Sequence, residues 1–199
     1  MVVQVRMSPR EIAVAGMMLG LSLMLEVVPI EMPTMWGMKI DLVAVPIIVT
    51  YFLLGLRGGL STVFLMFLGL GMVSPAGWLG AFMKASATLS MVIGLELARR
   101  LTRVEFEEAP SGLFKFAVLG YLLGIAVRIP LMVAFNYYFA IEMFLGIPHE
   151  QVVEAVEKWT GVPFWVAIGL PNAIQGAIDV FVSATLLGPL LRRVPHFFE

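Results

Sequence analysis

From Gly112 to Phe144 the chain is almost continuously apolar, interrupted by only three charged residues, Lys115, Arg128 and Glu142. This run is far longer than the roughly 20 residues an α-helix needs to cross a bilayer. Lipid offers no partner for backbone N–H and C=O groups, so a segment of this kind is helical throughout its membrane depth. Yet it holds Arg128, Pro130 and Asn136. A charge at the bilayer centre costs about 2.5–3.5 kcal/mol on insertion scales, so such groups must face protein or an aqueous cavity. The rest of the chain has the same character. Hydrophobic residues make up 60% and charged residues 14%, against about 45–50% and about 25% in soluble domains. Mean hydropathy is +0.94. The expectation is an all-α integral membrane protein, multi-pass in the cell membrane, forming a single membrane domain over residues 1–199.

The same inventory excludes several chemistries. There is no cysteine, hence no disulfide, thiol nucleophile or thiolate metal site. No phosphate-cradling glycine loop, H-E-x-x-H or Ser–His constellation is present, and His149 and His196 fall in polar segments. No catalytic residue, metal or cofactor is expected, and the chain reads as a non-enzyme.

Apolar runs broken by Pro, Gly and charged clusters give six predicted transmembrane helices: 10–28, 42–55, 60–72, 78–98, 112–144 and 161–191. Arg57-Gly58-Gly59 reads as the tight turn between the second and third, and Glu105 to Ser111 as a polar connection. Two further loops, 29–40 and 145–160, read as external lids. Within the second, Val152, Val153, Val156 and Trp159 recur at helical spacing, predicting a short amphipathic surface helix. On the first helix Gly16 and Gly20, with Ala13 near the same stripe, form a small-residue face against which another helix can pack closely.

Six spans bring Arg6, Arg10, Arg57, Arg99, Arg100, Arg103, Lys115, Arg192 and Arg193 to one side, leaving Lys39 and Lys158 on the other. By the positive-inside rule the N and C termini are cytoplasmic. The opposite side, with Glu31, Glu142, Glu150, Glu154 and Glu157, is external.

Polar residues inside the spans are then placed by face. Asn172, Gln175 and Asp179 stand at i, i+3 and i+7 on the last helix, sharing a face with Trp165 and Ser183. Pro171 loosens the backbone beside them. Arg128 and Asn136 are eight apart on the fifth helix, and Lys84 and Thr88 one turn apart on the fourth. Arg128 and Asp179, on consecutive helices at similar depth, read as a mutually compensating pair. Asn136, Asn172 and Gln175, with Tyr137 and Trp165 nearby, read as a ligand pocket near the extracellular side. Amides recognise ring edges and aromatic or methionine side chains cover ring faces, so a flat, neutral heterocycle suits them. Lys84 fits either role. Met32, Met35 and Met38 lie in the first external loop and can line a lid. A stand-alone secondary carrier or channel using Arg128 and Asp179 is the alternative.

Several motifs carry a family resemblance. Met38-Lys39-Ile40-Asp41 followed by Val45-Pro46 and Gly55-Leu56-Arg57-Gly58-Gly59 resembles a segment of the substrate-binding S components of energy-coupling factor (ECF) vitamin transporters. The Gly124–Arg128 stretch with Met132–Phe139, and Pro171-Asn172-Ala173-Ile174-Gln175-Gly176, resemble motifs of the riboflavin-specific type. Gln175 stands where that motif has lysine. The resemblance implies that Asn136 and Asn172 hydrogen-bond the flavin beneath a loop formed by Met38, Lys39 and Asp41. It also implies that Ala13, Gly16 and Gly20 dock a transmembrane coupling subunit, and that two ATPase subunits drive uptake. S components for thiamine, biotin or pantothenate are the neighbouring alternatives.

Overall fold

The computed structural model describes residues 7–28, 31–34, 36–102 and 110–193, with side chains given as far as Pro189. Arg6, Pro29, Met35, Arg103, Glu105 and His196 lie outside the described residues, as do the side chains of Ser111, Arg192 and Arg193. Among the described residues the fold is all-α apart from one two-residue ladder, in which β1 (Met32–Pro33) pairs antiparallel with β2 (Lys39–Ile40).

Helix α1 spans Pro9–Val27. It starts where a capping box allows: Ser8 accepts from Glu11 N–H (3.3 Å), Glu11 accepts from Ser8 N–H, and Pro9 fills the first helical position. Helix α2, Val45–Val73, covers both runs expected as separate spans. A straight helix of 29 residues would be about 43 Å long. Its two ends nevertheless meet the same region of α1. Ser22 Oγ donates to Val43 O (2.7 Å) and Ser74 Oγ donates to Glu26 Oε1 (2.6 Å), and Ser22 and Glu26 are one turn apart. The element therefore doubles back. The reversal is at Gly55, whose φ of 67° and ψ of −163° are open to glycine. The expected turn at Arg57-Gly58-Gly59 is thus displaced, and those three residues are helical.

Helix α3 runs Gly77–Thr102, and α4 Pro110–Phe135 continues through a π-helical turn, Asn136–Ala140, into α5, Ile141–Leu145. A 3₁₀ turn at His149–Gln151 leads into α6, Val152–Thr160, which buries Val152 and Val156 of the predicted apolar face, while Val153 is half-buried and Trp159 is exposed. Helix α7 spans Phe164–Arg193. Its buried positions Asn172, Gln175, Asp179 and Ser183 follow the expected face.

Among the described residues four stretches are long and apolar enough to cross a membrane: Val45–Val73, Gly77–Thr102, Gly112–Leu145 and Phe164–Pro189. Helix α1 carries Arg10, Glu11 and Glu26 within its 19 residues, which keeps it out of that set. Helices α3 and α4 approach closely because Gly94 faces Gly120 and Gly124. A Cβ on Gly94 would lie 2.2 Å from Gly124 N and 2.6 Å from Gly120 O. The main core of Tyr51, Phe52, Met66, Met91, Leu95 and Phe116 lies below a second cluster around Met132, Ile141, Val156 and Ile168.

Candidate ligand-binding cavity

A cavity of about 100 Å³ opens between α1, the roof segment 36–44 and helices α2, α3, α4 and α7. Non-neighbouring segments bring its polar groups together. Helix α7 contributes Asn172, Gln175 and Asp179, α4 contributes Arg128 and Asn136, α3 Lys84 and Thr88, α1 Glu26, and the roof Met38, Lys39 and Asp41.

Seven of these groups, Arg128, Asp179, Asn172, Gln175, Asp41, Lys84 and Glu26, form one connected network. Arg128 Nη1 is 2.8 Å from Asp179 Oδ2, with the two side chains 3% and 1% exposed. Arg128 Nε donates to Asn172 Oδ1 (3.1 Å). The expected pairing of Arg128 with Asp179 is present. The pair also lines the cavity, so no boundary separates a structural pin from the ligand pocket. Gln175 Nε2 donates to Asp179 Oδ1 (2.6 Å) and to Asp41 O (2.9 Å), while Gln175 Oε1 accepts from Asp41 N–H (2.8 Å). Gln175 thus grips both sides of the Asp41 backbone and fastens the roof to α7. Asp41 Oδ1 accepts from Val43 N–H (2.9 Å), turning the chain into α2.

Lys84 closes the outer part of the network. Its Nζ donates to Glu26 Oε2 (2.9 Å) and to Asp41 Oδ2, tying α3 to α1 and to the roof. Glu26 was not among the residues expected from the sequence. Its only sequence signal is an acid in the last turn of an apolar helix, and its partners Ser74 and Lys84 lie 48 and 58 residues away.

Asn136 opens the π-helical turn, and its Nδ2 donates to Met132 O (2.8 Å). Its Oδ1 has no partner among the described residues. Asn172 is occupied on both ends, since its Nδ2 donates to Ile168 O (2.9 Å) and lies 3.5 Å from Met38 Sδ.

Two expected pocket residues are elsewhere. Trp165 is 65% exposed and does not line the cavity; its neighbour Phe164 takes the buried position. Tyr137 follows Asn136 by one residue, about 100° round the helix, and does not line the cavity. It packs against Tyr138, His149 and Phe164, with ring centroids at 4.9, 4.8 and 6.1 Å. The two lids also differ in role. Residues 36–41 line the cavity, but the 146–160 segment does not; Val152 and Val156 of α6 belong to the cluster that includes Trp36.

Ala13, Gly16 and Gly20 are exposed on α1, and no atom lies within 4 Å of a Cβ built on either glycine. That stripe is open. Among the described residues no group of three or more His, Cys, Asp or Glu is arranged to hold a metal ion. Comparison with protein-family models, curated proteins and solved structures gives no match.

Proposed function

We propose that this chain is the substrate-binding S component of an ECF-type vitamin transporter, and that it captures riboflavin from outside the cell. The observation that carries the reading is the convergence of Met38, Lys39, Asp41, Lys84, Asn136, Asn172 and Gln175 on one cavity. Those residues come from four separated segments. The cavity, of about 100 Å³, is smaller than the roughly 300–1,000 Å³ of pockets that enclose drug-sized ligands, so in this reading the hairpin roof lifts to admit the flavin.

In this reading α1, the two arms of α2 on either side of Gly55, α3, α4 with α5, and α7 cross the membrane as six spans. Both termini are cytoplasmic, and the cavity lies toward the external side. Support comes from the doubling back of α2, which puts Val43 and Ser74 beside the same end of α1. The distribution of Arg and Lys supports the orientation. The ligand enters under the 36–41 roof and is held by neutral groups, while the Arg128–Asp179 and Lys84–Glu26–Asp41 pairs set the cavity walls. The chain supplies no catalysis. A transmembrane coupling subunit docks on the Ala13, Gly16 and Gly20 stripe, and two ATPase subunits provide the energy.

Reconstitution tests the proposal. Proteoliposomes holding this chain with a coupling subunit and ATPases are expected to accumulate riboflavin only with internal ATP. Accumulation by this chain alone would overturn it in favour of a carrier using Arg128 and Asp179.

A further inference from the structure

The roof hairpin is closed by Thr34, whose N–H and hydroxyl both donate to Met38 O (2.7 and 2.9 Å), and by Gly37 N–H donating to Thr34 O (3.3 Å). Gly37 has φ +90°, a conformation that favours glycine. The hairpin tip would ordinarily be its most exposed part. Trp36, at that tip, is instead 6% exposed; it lines the cavity and joins the cluster of Met132, Ile141, Val156 and Ile168.

Among the described residues its Nε1–H is the one side-chain polar group that is both fully enclosed and without a hydrogen-bond partner. Indole nitrogen is solely a donor, and a buried one normally finds an acceptor. The acceptors around the cavity are taken: Asp179 by Arg128 and Gln175, Asp41 by Lys84 and Val43, and Asn172 Oδ1 by Arg128. Only Asn136 Oδ1, itself open, has capacity on the cavity wall among the buried amides.

Resting on the ligand-capture reading above, we propose that the Trp36 indole N–H is a ligand-binding donor. It takes a carbonyl oxygen or ring nitrogen of the bound heterocycle, while Asn136 Oδ1 accepts from a ring N–H. A donor and an acceptor contributed by roof and wall read the mixed polar edge of a neutral planar ring. The indole nitrogen has no open surface in this structure, so the roof shifts as ligand enters to bring its N–H to the ring, and its hydrogen bonding is completed only when ligand is bound.

Two measurements on the full chain in detergent test this. With ¹⁵N-indole-labelled tryptophan, riboflavin is expected to move the Trp36 N–H proton resonance downfield as the new bond forms. The resonance is assigned by eliminating those of Trp78, Trp159 and Trp165 with single Phe variants. Calorimetry of Trp36→Phe, which keeps an aromatic ring and removes the donor, is expected to show riboflavin binding about tenfold weaker, about 1.4 kcal/mol, with an unchanged melting temperature without ligand. An unmoved Trp36 resonance, or Trp36→Phe binding within twofold of wild type, overturns this inference and leaves the function standing. Absence of riboflavin binding by the wild-type chain overturns both.

Discussion

Replacing Arg128 and Asp179 by apolar residues, singly and together, probes the centre of the network. Arg128→Met strands a carboxylate that is 1% exposed, with only Gln175 Nε2 (2.6 Å) left to hold it. It also removes the donor on Asn172 Oδ1. Asp179→Leu strands a guanidinium that is 3% exposed, with only Asn172 beside it. Each single change is expected to cost about 3–5 kcal/mol, because a buried charge loses its partner. Arg128→Met carries up to about 1–3 kcal/mol more for the unmet amide oxygen. The double variant leaves neither charge, so its cost is expected to fall below that of either single change. Non-additivity of at least about 3 kcal/mol follows. Reversible unfolding in mixed micelles, with increasing sodium dodecyl sulfate and followed by tryptophan fluorescence, measures all four corners of the cycle. Single changes costing under about 1 kcal/mol, or costs that simply add, would refute the claim that this pair is a desolvated, mutually dependent unit.

Three other outcomes separate binding from folding and docking. Asn136→Ala removes the open Oδ1 and is expected to weaken riboflavin binding about tenfold, with the melting temperature of ligand-free protein within a few degrees of wild type; a collapse of folded yield would assign Asn136 to structure. Gly94→Val pushes a side chain into Gly124 N and Gly120 O, 2.2 and 2.6 Å from the added Cβ. Backbone cannot yield as a side chain does, so a loss of about 1–3 kcal/mol or more is expected, read as a lower melting temperature. Gly16→Leu enters open space and is expected to leave stability and riboflavin binding unchanged while abolishing copurification with the coupling subunit; retained copurification would move the docking surface off α1.

Local signals in the sequence located what local physics controls. The ends of the apolar runs put α1, α3 and α7 within a few residues of their expected limits. The spacing of Asn172, Gln175 and Asp179 placed one polar face correctly, because α7 is continuous through these positions. The reading failed at the edges of the site: Tyr137 is one residue, about 100° of helix rotation, from Asn136, and Trp165 sits in the first turn of α7, where Phe164 takes the buried place. Gly55 rather than Gly58 or Gly59 makes the reversal, a choice between neighbouring glycines that depends on which one can avoid the packed α3 surface. Gly59 faces Tyr51 and Val92, whereas Gly55 meets nothing within 4 Å.

Glu26 and Trp36 escaped the sequence for a different reason. Each acquires its role through distant partners, Lys84 for the first and the α4, α6 and α7 cluster for the second. No periodicity or motif marks such a meeting. Gln175 lines the cavity as expected, and its amide is engaged by Asp41 and Asp179, which fastens the roof to α7.

Calorimetric titration of the purified chain with riboflavin tests the central claim most directly. The account predicts saturable one-to-one binding with a Kd below about 1 μM, more favourable than about −8 kcal/mol, weakened in Asn136→Ala. No heat with riboflavin, together with saturable binding of thiamine, biotin or pantothenate, would contradict it.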